Sequence, residues 1–350
     1  MNEQFTTYKL AGHSGFIRRF FNDFKISIEY PVAPQNILQM LKFTGYEDQF
    51  IKAYNYIHEF CNDDIEKYLH DYYTCRELLI STIKNNKAFQ DLNQKGSAIY
   101  CTQPCNELKN KKHMVVYNEE NINKYFLSID IRNANFTALY YANPQIFNCW
   151  MSYEDWLKNT LKDADVYWHD YFSVSKYSRQ VIFGQANPKL TICIEKSIIT
   201  QIGNRFFEIA SDDIKEHISV DSFNADEIVF EISEEYFGLN DFTISLYDTI
   251  NRAIKEVCPE IQDRFRKTMF QLYGYKLINE TEQRELETFY IKEDDINVYP
   301  KDLHCITKRN TLLACELLNR HNKIVHPILF YQTIDGIMYK IEDIIKVKQI

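Results

Sequence analysis

In the N-terminal third of the chain, apolar residues recur every three or four positions. Between Gln35 and Lys95 this spacing is carried by Ile37, Leu38, Leu41, Phe50, Ile51, Tyr54, Ile57, Phe60, Tyr68, Tyr72, Leu78, Leu79 and Ile83. An α-helix places residues at such spacing on one face. We therefore predict a mostly helical N-terminal lobe, residues 1–118, which loosens into a polar, basic loop after Gln94.

The pattern changes at Tyr125, where a short apolar run predicts a buried strand over 125–131 that ends beside Asp130. Elements predicted beyond it are a helix opened by Asn187-Pro188, a hairpin over 217–223 and 226–232, a helix over 244–257 and a strand over 269–278. Strands and helices in this order predict an α+β fold, an antiparallel sheet with helices packed on one face.

The last seventy residues are mixed in pattern and predict a small C-terminal lobe, residues 281–350. Its predicted elements are a helix over 311–320 and strands over 327–331 and 337–341. Residues 119–280 then form a central domain. At 350 residues, the chain is long enough for about two domains, or one domain with an appended lobe.

Net charge argues against a protein that is basic throughout. Lys and Arg total 40 against 49 Asp and Glu, a formal charge of -9, so binding to nucleic acid would depend on local basic patches. The chain has 9 Gly, and glycine-rich phosphate loops are largely excluded. Tyr and Phe are abundant, at 25 and 24, which fits a folded, aromatic-rich protein.

Cysteine usage and the N-terminus bear on location. The nine cysteines are scattered and odd in number, which favours a reducing compartment over a disulfide framework. The first sixteen residues lack the charged start and apolar run of a signal peptide, and no long apolar stretch occurs. We expect an intracellular, cytoplasmic protein that does not bind a membrane.

Acidic residues lie at two predicted strand ends. Asp130 closes the first strand, and Asp226 and Glu227 lie at the tip of the hairpin. Carboxylates on neighbouring strands are suited to hold two divalent cations about 4 Å apart, the arrangement used in phosphoryl transfer. Asp221, within the hairpin, is a further candidate ligand, with a structural or exposed carboxylate as the alternative.

These segments resemble the motifs of palm-domain nucleic-acid polymerases. The run from Asp130 to Phe136 resembles motif A, and Ala225 to Ile232 resembles motif C of family A DNA polymerases and of reverse transcriptases. Between them, Arg179 to Pro188 occupies the place of motif B. Leu272 to Leu277 resembles the strand that supports the primer end in reverse transcriptases. The resemblance covers less than half of the chain.

The resemblance implies a palm-like catalytic domain at 119–280, with a fingers-like insertion at about 150–190. It also implies a template-dependent nucleotidyltransferase that extends a strand with Mg²⁺ or Mn²⁺, DNA synthesis being slightly favoured. Its partners are a primer–template and nucleoside triphosphates. Such a compact polymerase fits a virus or mobile element. The template, the primer requirement and the oligomeric state stay open.

Site residues follow from the same resemblance. The implied metal ligands are Asp130, Asp226 and the backbone carbonyl of Ile131, with Glu227 as an auxiliary catalytic ligand. The implied nucleotide-binding residues are Ile131, Asn135, Phe136, Lys176, Arg179, Gln185 and Lys189. Asn135 or Phe136 would lie beneath the sugar. For Phe136, packing in the core is an equal alternative.

Basic residues interleaved with aromatic residues suggest a track for nucleic acid, because cations bind phosphates while aromatic faces stack on bases. The candidates are Lys111, Lys112, Arg264, Arg266, Lys267 and Tyr273. The alternative is a solvated helix end beside core tyrosines.

Two other functions compete with the polymerase. Asn224 stands where the related motifs have His or Tyr, which favours a palm-derived module that is inactive and binds nucleic acid or a protein. A third possibility is a structural or interaction protein whose acidic hairpin is coincidental. Carboxylates of Asp130 and Asp226 separated by more than about 8 Å would favour that third possibility, because they would be too far apart to share a metal pair.

Overall fold

The computed structural model describes residues 14–26, 37, 41–42, 44–109, 116–280, 282–292, 298–299, 302–308, 310–319 and 345–350. The chain divides into two compact units that interleave along the sequence. Unit 1 contains residues 1–75, 165–178 and 272–350, and unit 2 contains residues 76–164 and 179–271. The sequence predicts three domains that follow one another along the chain, divided after residues 118 and 280. That division stays a prediction.

The helices run in the order α1 (Ser14–Asp23), α2 (Glu47–Phe60), α3 (Ile65–Asn85), α4 (Lys87–Lys95), α5 (Asn106–Lys109), α6 (Ala134–Ala142), α7 (Tyr153–Thr160), α8 (Val166–Val174), α9 (Lys176–Gly184), α10 (Pro188–Ile209), α11 (Asp212–His217), α12 (Asn240–Val257) and α13 (Thr311–Asn319). The strands are β1 (Tyr125–Ile131), β2 (Ile218–Phe223), β3 (Glu227–Ile232), β4 (Phe265–Asn279), β5 (Arg284–Lys292), β6 (Leu303–His304) and β7 (Ile345–Gln349). Short 3₁₀ turns link several of them.

The helices of unit 1 pack through aromatic rings. The buried rings come from α1, α2, α3 and α8: Phe16, Phe20, Phe50, Tyr56, Tyr68, Tyr72, Trp168, Tyr171 and Phe172. Phe20 meets Phe50 edge to face, with ring centroids 5.2 Å apart. Such contacts add specific geometry to the burial of large apolar surfaces. The helical N-terminal pattern is thus confirmed over the described residues.

Unit 1 also contains a small C-terminal sheet. Strands β5 and β7 pair antiparallel with the second half of β4, and β6 pairs with β5. Helix α13 belongs to the same apolar cluster as these strands, through Leu313 and Leu317. This confirms the predicted helix at 311–320, whereas the predicted strands at 327–331 and 337–341 lie outside the described residues.

Unit 2 is built on an antiparallel sheet. Strand β2 pairs with β3, β3 pairs with β1, and β1 pairs with residues 265–271 of β4, which gives the order β2-β3-β1-β4. With the helices between them, the chain order is β1, helices, β2, β3, α12, β4, a split β-α-β arrangement. The predicted α+β class, the strand 125–131 and the hairpin are confirmed.

One face of the unit 2 sheet is covered by α10. Phe206 of α10 stacks against Phe230 of β3, with ring centroids 5.0 Å apart. Gly203 permits this close approach, because a Cβ there would lie 3.4 Å from the Ile228 side chain and 2.8 Å from that of Leu108. Asn187 caps the helix by accepting the Leu190 N–H at 3.1 Å, as its sequence predicts.

Among the described residues, helices long and apolar enough to cross a membrane are absent.

Candidate functional site

Three carboxylates lie at one end of the β1–β3 ladder. Asp130 of β1 and Glu227 of β3 are Cα partners, so their side chains share one face of the sheet. Asp226 directly precedes β3, and its carbonyl accepts the Ile131 N–H at 3.0 Å. We call Asp130, Asp226 and Glu227 the carboxylate edge. The structure thus brings all three predicted catalytic residues to the same end of adjacent strands.

The hairpin turn holds Asp226 and the first residue of β3, Glu227, at its tip. The Asn224 N–H donates to the Glu227 carbonyl at 2.8 Å and closes the turn. Asn and Asp are favoured in turns because their short polar side chains tolerate tight backbone geometry. Behind the turn, β2 has an irregularity between Val220 and Ser222. Asp221, which lies there, accepts a hydrogen bond from Asn121 Nδ2 at 3.1 Å and is buried, as the structural alternative predicts.

Ser128 orients one member of the carboxylate edge. Its Oγ donates to Glu227 Oε1 at 2.5 Å, and the serine is buried. Ser128 lies two residues before Asp130, so both side chains point to the same face of β1. The sequence motifs do not identify this contact, because it joins residues that lie 99 positions apart.

A fourth carboxylate, Glu195 of α10, is associated with this site. Glu195 is 4% exposed, and Asn135 Nδ2 donates to its Oε1 at 2.8 Å. Burial raises the pKa of the Glu195 carboxyl to about 7, and the negative charge of Asp226 contributes in the same direction. Glu195 is not among the site residues predicted from the sequence. Its signal was available, since it is an acidic residue within the apolar stripe of a helix.

The chain turns sharply between β1 and α6, where two nucleotide-binding candidates lie. Asn133 adopts a positive φ of 49°, a conformation that Asn tolerates better than most residues. Asn135 is half-buried against Glu195. Phe136 is 1% exposed and packs on Phe147, with ring centroids 4.3 Å apart. The Phe136 side chain therefore packs in the core, which was one of the two positions that the sequence predicted for it.

The remaining nucleotide-binding candidates lie on α9 and α10 or on β1. The Arg179 guanidinium lies 5.6 Å from the ring centroid of Tyr153, and Gln185 and Lys189 are exposed around the start of α10. Lys176 falls in unit 1. The Ile131 side chain is buried, and its N–H binds the Asp226 carbonyl. The roles predicted for these residues stay predictions.

The candidate nucleic-acid residues differ in their surroundings. Arg266 is exposed and is the Cα partner of Asp130 across the β1–β4 ladder. Lys267 Nζ donates to Asn251 Oδ1 at 2.5 Å. Arg264 donates to the Met151 carbonyl and lies over the Tyr140 ring, 4.2 Å from its centroid. Burial lowers the pKa of the Arg264 guanidinium.

Tyr273 lies in unit 1, half-buried and paired with Ile291. Lys111 and Lys112 lie outside the described residues.

Among the described residues, the His, Cys, Asp and Glu side chains do not form a preassembled group of three or more metal ligands. Asp226, however, forms no ion pair with a described basic residue, and its negative charge helps to raise the pKa of Glu195. Negative charge gathered in this way favours a bound cation, since neighbouring carboxylates otherwise resist joint ionisation. The oxygen donors present are the type that Mg²⁺ and Mn²⁺ prefer.

Searches against protein-family models, curated proteins and solved structures find no match to this chain.

Proposed function

We propose that unit 2 is a template-dependent nucleotidyltransferase that extends a nucleic-acid strand. The observation that carries the proposal is the β1–β3 register, which pairs Asp130 with Glu227 and joins the backbone of Ile131 to that of Asp226. The motif A-like and motif C-like segments therefore supply carboxylates to one edge. Acidic residues that lie at strand ends by chance would not need to belong to strands that pair with each other.

The topology adds support. The sheet order β2-β3-β1-β4, with two helical connections, is a split β-α-β arrangement with the strand, helix, hairpin, helix, strand order on which the palm resemblance depends. The face opposite α10 carries Ser128, Asp130 and Glu227 at one end, whereas Asp226 at the turn acts on Glu195 of α10.

In the proposed site, Asp130 and Asp226 would hold two Mg²⁺ or Mn²⁺ ions, and Glu227, oriented by Ser128, would be an auxiliary ligand. Such ions lower the pKa of a primer 3′-hydroxyl and neutralise the departing pyrophosphate. The 3′-oxygen forms a bond to the α-phosphorus, and the bond from that phosphorus to the bridging oxygen breaks. Pyrophosphate leaves with the electron pair, and the hydroxyl proton passes to solvent.

Primer extension tests this function. The full chain is incubated with labelled primers on DNA and RNA templates, with dNTPs or NTPs, in Mg²⁺ or Mn²⁺. Asp130→Asn and Asp226→Asn are expected to lower incorporation about 100-fold or more, because they remove charged ligands from the transition state. Asp248→Asn, on the exposed side of α12, is the matched control and is expected to extend like the wild type.

Two results would overturn the proposal. The wild type would fail to incorporate nucleotides on any of the templates, or Asp226→Asn would incorporate them as well as the wild type does. Strand binding without extension would favour the inactive module instead.

A further inference from the structure

A basic cavity lies between α12, the start of β4 and the end of β1. Its volume is about 690 Å³, within the range of ligand sites. The cations that line it are Arg132, Arg252, Lys255, Arg266 and Lys267. Asp263 is the acidic residue in its lining, and Tyr247 and Phe265 provide aromatic surface. On a chain of net charge -9, this is a pronounced local concentration of positive charge.

Most of this charge lacks internal compensation. Arg252 pairs with Glu256 at 3.0 Å, and Lys267 donates to Asn251. Within the part of the chain that the structure describes, the side chains of Arg132, Lys255 and Arg266 form no ion pair or hydrogen bond. All three are exposed. Unpaired cations that face one cavity repel each other, and a bound anion relieves that repulsion.

The basic cavity adjoins the carboxylate edge through the sheet. Arg266 is the Cα partner of Asp130, and adjacent strands lie about 4.8 Å apart. Arg132 follows Asp130 by two residues, and its N–H donates to the Arg264 carbonyl at 2.8 Å. A phosphate chain that binds Arg132 and Arg266 would therefore lie beside the end of the strand that carries Asp130.

We propose that the basic cavity binds the phosphodiester backbone of the strand whose end reaches the carboxylate edge. This inference rests on the proposed function. One phosphate group is served by two or three donors, whereas the five cations here come from three separate segments. That number and spread fit several successive phosphates.

Binding measured without catalysis tests the inference. Fluorescence anisotropy of a labelled primer–template and of a labelled single strand is recorded in EDTA, from 25 to 200 mM KCl. Arg132→Gln/Lys255→Gln is compared with the wild type and with Lys158→Gln/Lys162→Gln. The control removes the same charge from exposed positions of unit 2 outside the cavity. Circular dichroism establishes that all three proteins are folded.

The cavity variant is expected to raise Kd about tenfold or more at 100 mM KCl. It should also reduce the slope of log K against log salt by about 1.4 to 1.8, since each of the two lost phosphate contacts contributes about 0.7 to 0.9. The control should keep the wild-type slope. Equal slopes and affinities for both variants would overturn the inference.

A competition arm separates a nucleic-acid strand from a small phosphate ligand. If inorganic tripolyphosphate binds the wild type and not the cavity variant, while strand affinity is unchanged, the cavity is a small-anion site and the inference fails. Primer extension in parallel distinguishes the two proposals. A wild type that binds strands through the cavity yet never extends them overturns the enzymatic function alone.

Discussion

Two buried carboxylates, one in each unit, have opposite surroundings. Asp23 of unit 1 is 0% exposed, and Arg19 reaches both of its oxygens, with Nη2–Oδ1 at 2.6 Å and Nε–Oδ2 at 3.1 Å. Tyr171 donates to the same carboxylate at 2.7 Å. Glu195 of unit 2 is 4% exposed, accepts a hydrogen bond from Asn135 and pairs with no described cation.

The difference separates a carboxylate that is paired within the fold from one that is not. Burial raises the pKa of Asp23, but the Arg19 guanidinium and the tyrosine hydroxyls oppose this effect. At Glu195, burial is reinforced by the negative charge of Asp226, and Asn135 opposes them. Removing one partner of a buried ion pair is strongly destabilising, whereas a buried carboxylate whose pKa is raised beside another carboxylate is a candidate member of the proposed site.

The largest effect is expected for Asp23→Ala. This change leaves the Arg19 guanidinium in a mostly buried position without its counter-ion, so the free energy of unfolding should fall by about 3 to 5 kcal/mol. Urea unfolding followed by fluorescence measures it. Asp170→Ala is the control, because its ion pair with Lys52 is exposed and should contribute less than about 1 kcal/mol. Equal losses for the two variants would remove the structural role assigned to Asp23.

Glu195→Gln is expected to raise the free energy of unfolding, whereas Asp23→Ala lowers it. The folded pKa is raised to about 7 from an ordinary 4.5, so between these values the unfolded chain ionises while the folded chain keeps its proton. Wild-type stability therefore falls as pH rises from 4.5 to 7, and Glu195→Gln escapes this loss. The variant should be more stable by about 3 kcal/mol above pH 7.5, and by about 1 kcal/mol at pH 5.

Urea unfolding in EDTA at pH 5.0 and 8.5 measures the difference in the free energy of unfolding between Glu195→Gln and the wild type. A difference that does not depend on pH would show that Glu195 is already ionised at pH 5 in the folded protein. Its surroundings would then resemble those of Asp23, and the contrast between the two carboxylates would disappear.

The local elements of unit 2 follow from the sequence. Strand β1 occupies the predicted residues, and α10 begins at the predicted Asn187-Pro188 cap. Strand β4 begins four residues before the predicted strand, at Phe265. Its polar start, Arg266 to Thr268, resembles a solvated helix end, but an antiparallel strand tolerates alternate polar side chains when one face is open.

The candidate site is only partly predictable, because its contacts join distant parts of the chain. Asp130, Asp226 and Glu227 are visible at strand ends, yet the register that pairs them is a non-local property of the sheet. Arg132 and Lys255 were not predicted for the same reason. They join Arg266 in one cavity only after α12 and β4 have folded beside β1.

Ser128→Ala extends the comparison to the carboxylate edge itself. The Ser128 hydroxyl is a buried donor to Glu227, and a hydrogen bond to a charged group contributes about 1.5 to 3 kcal/mol. We expect Ser128→Ala to lower the free energy of unfolding by about 2 kcal/mol at pH 7. In a Glu227→Gln background the same serine change should cost about half as much, since the acceptor is then neutral. Equal costs in both backgrounds would mean that the hydroxyl does not serve the charge of Glu227.

The smallest effect is expected for Asn135→Ala, which removes the donor identified at Glu195. Because this hydrogen bond favours the charged carboxylate, its loss should raise the Glu195 pKa further and move the fall in stability to higher pH. The extra cost should be about 1 kcal/mol at pH 8.5 and near zero at pH 5. A double-mutant cycle with Glu195→Gln measures it by urea unfolding. If the loss of unfolding free energy caused by Asn135→Ala still depends on pH in the Glu195→Gln background, the Asn135 side chain acts on a titrating group other than Glu195. The hydrogen bond from Asn135 would then not account for the pH dependence assigned to Glu195.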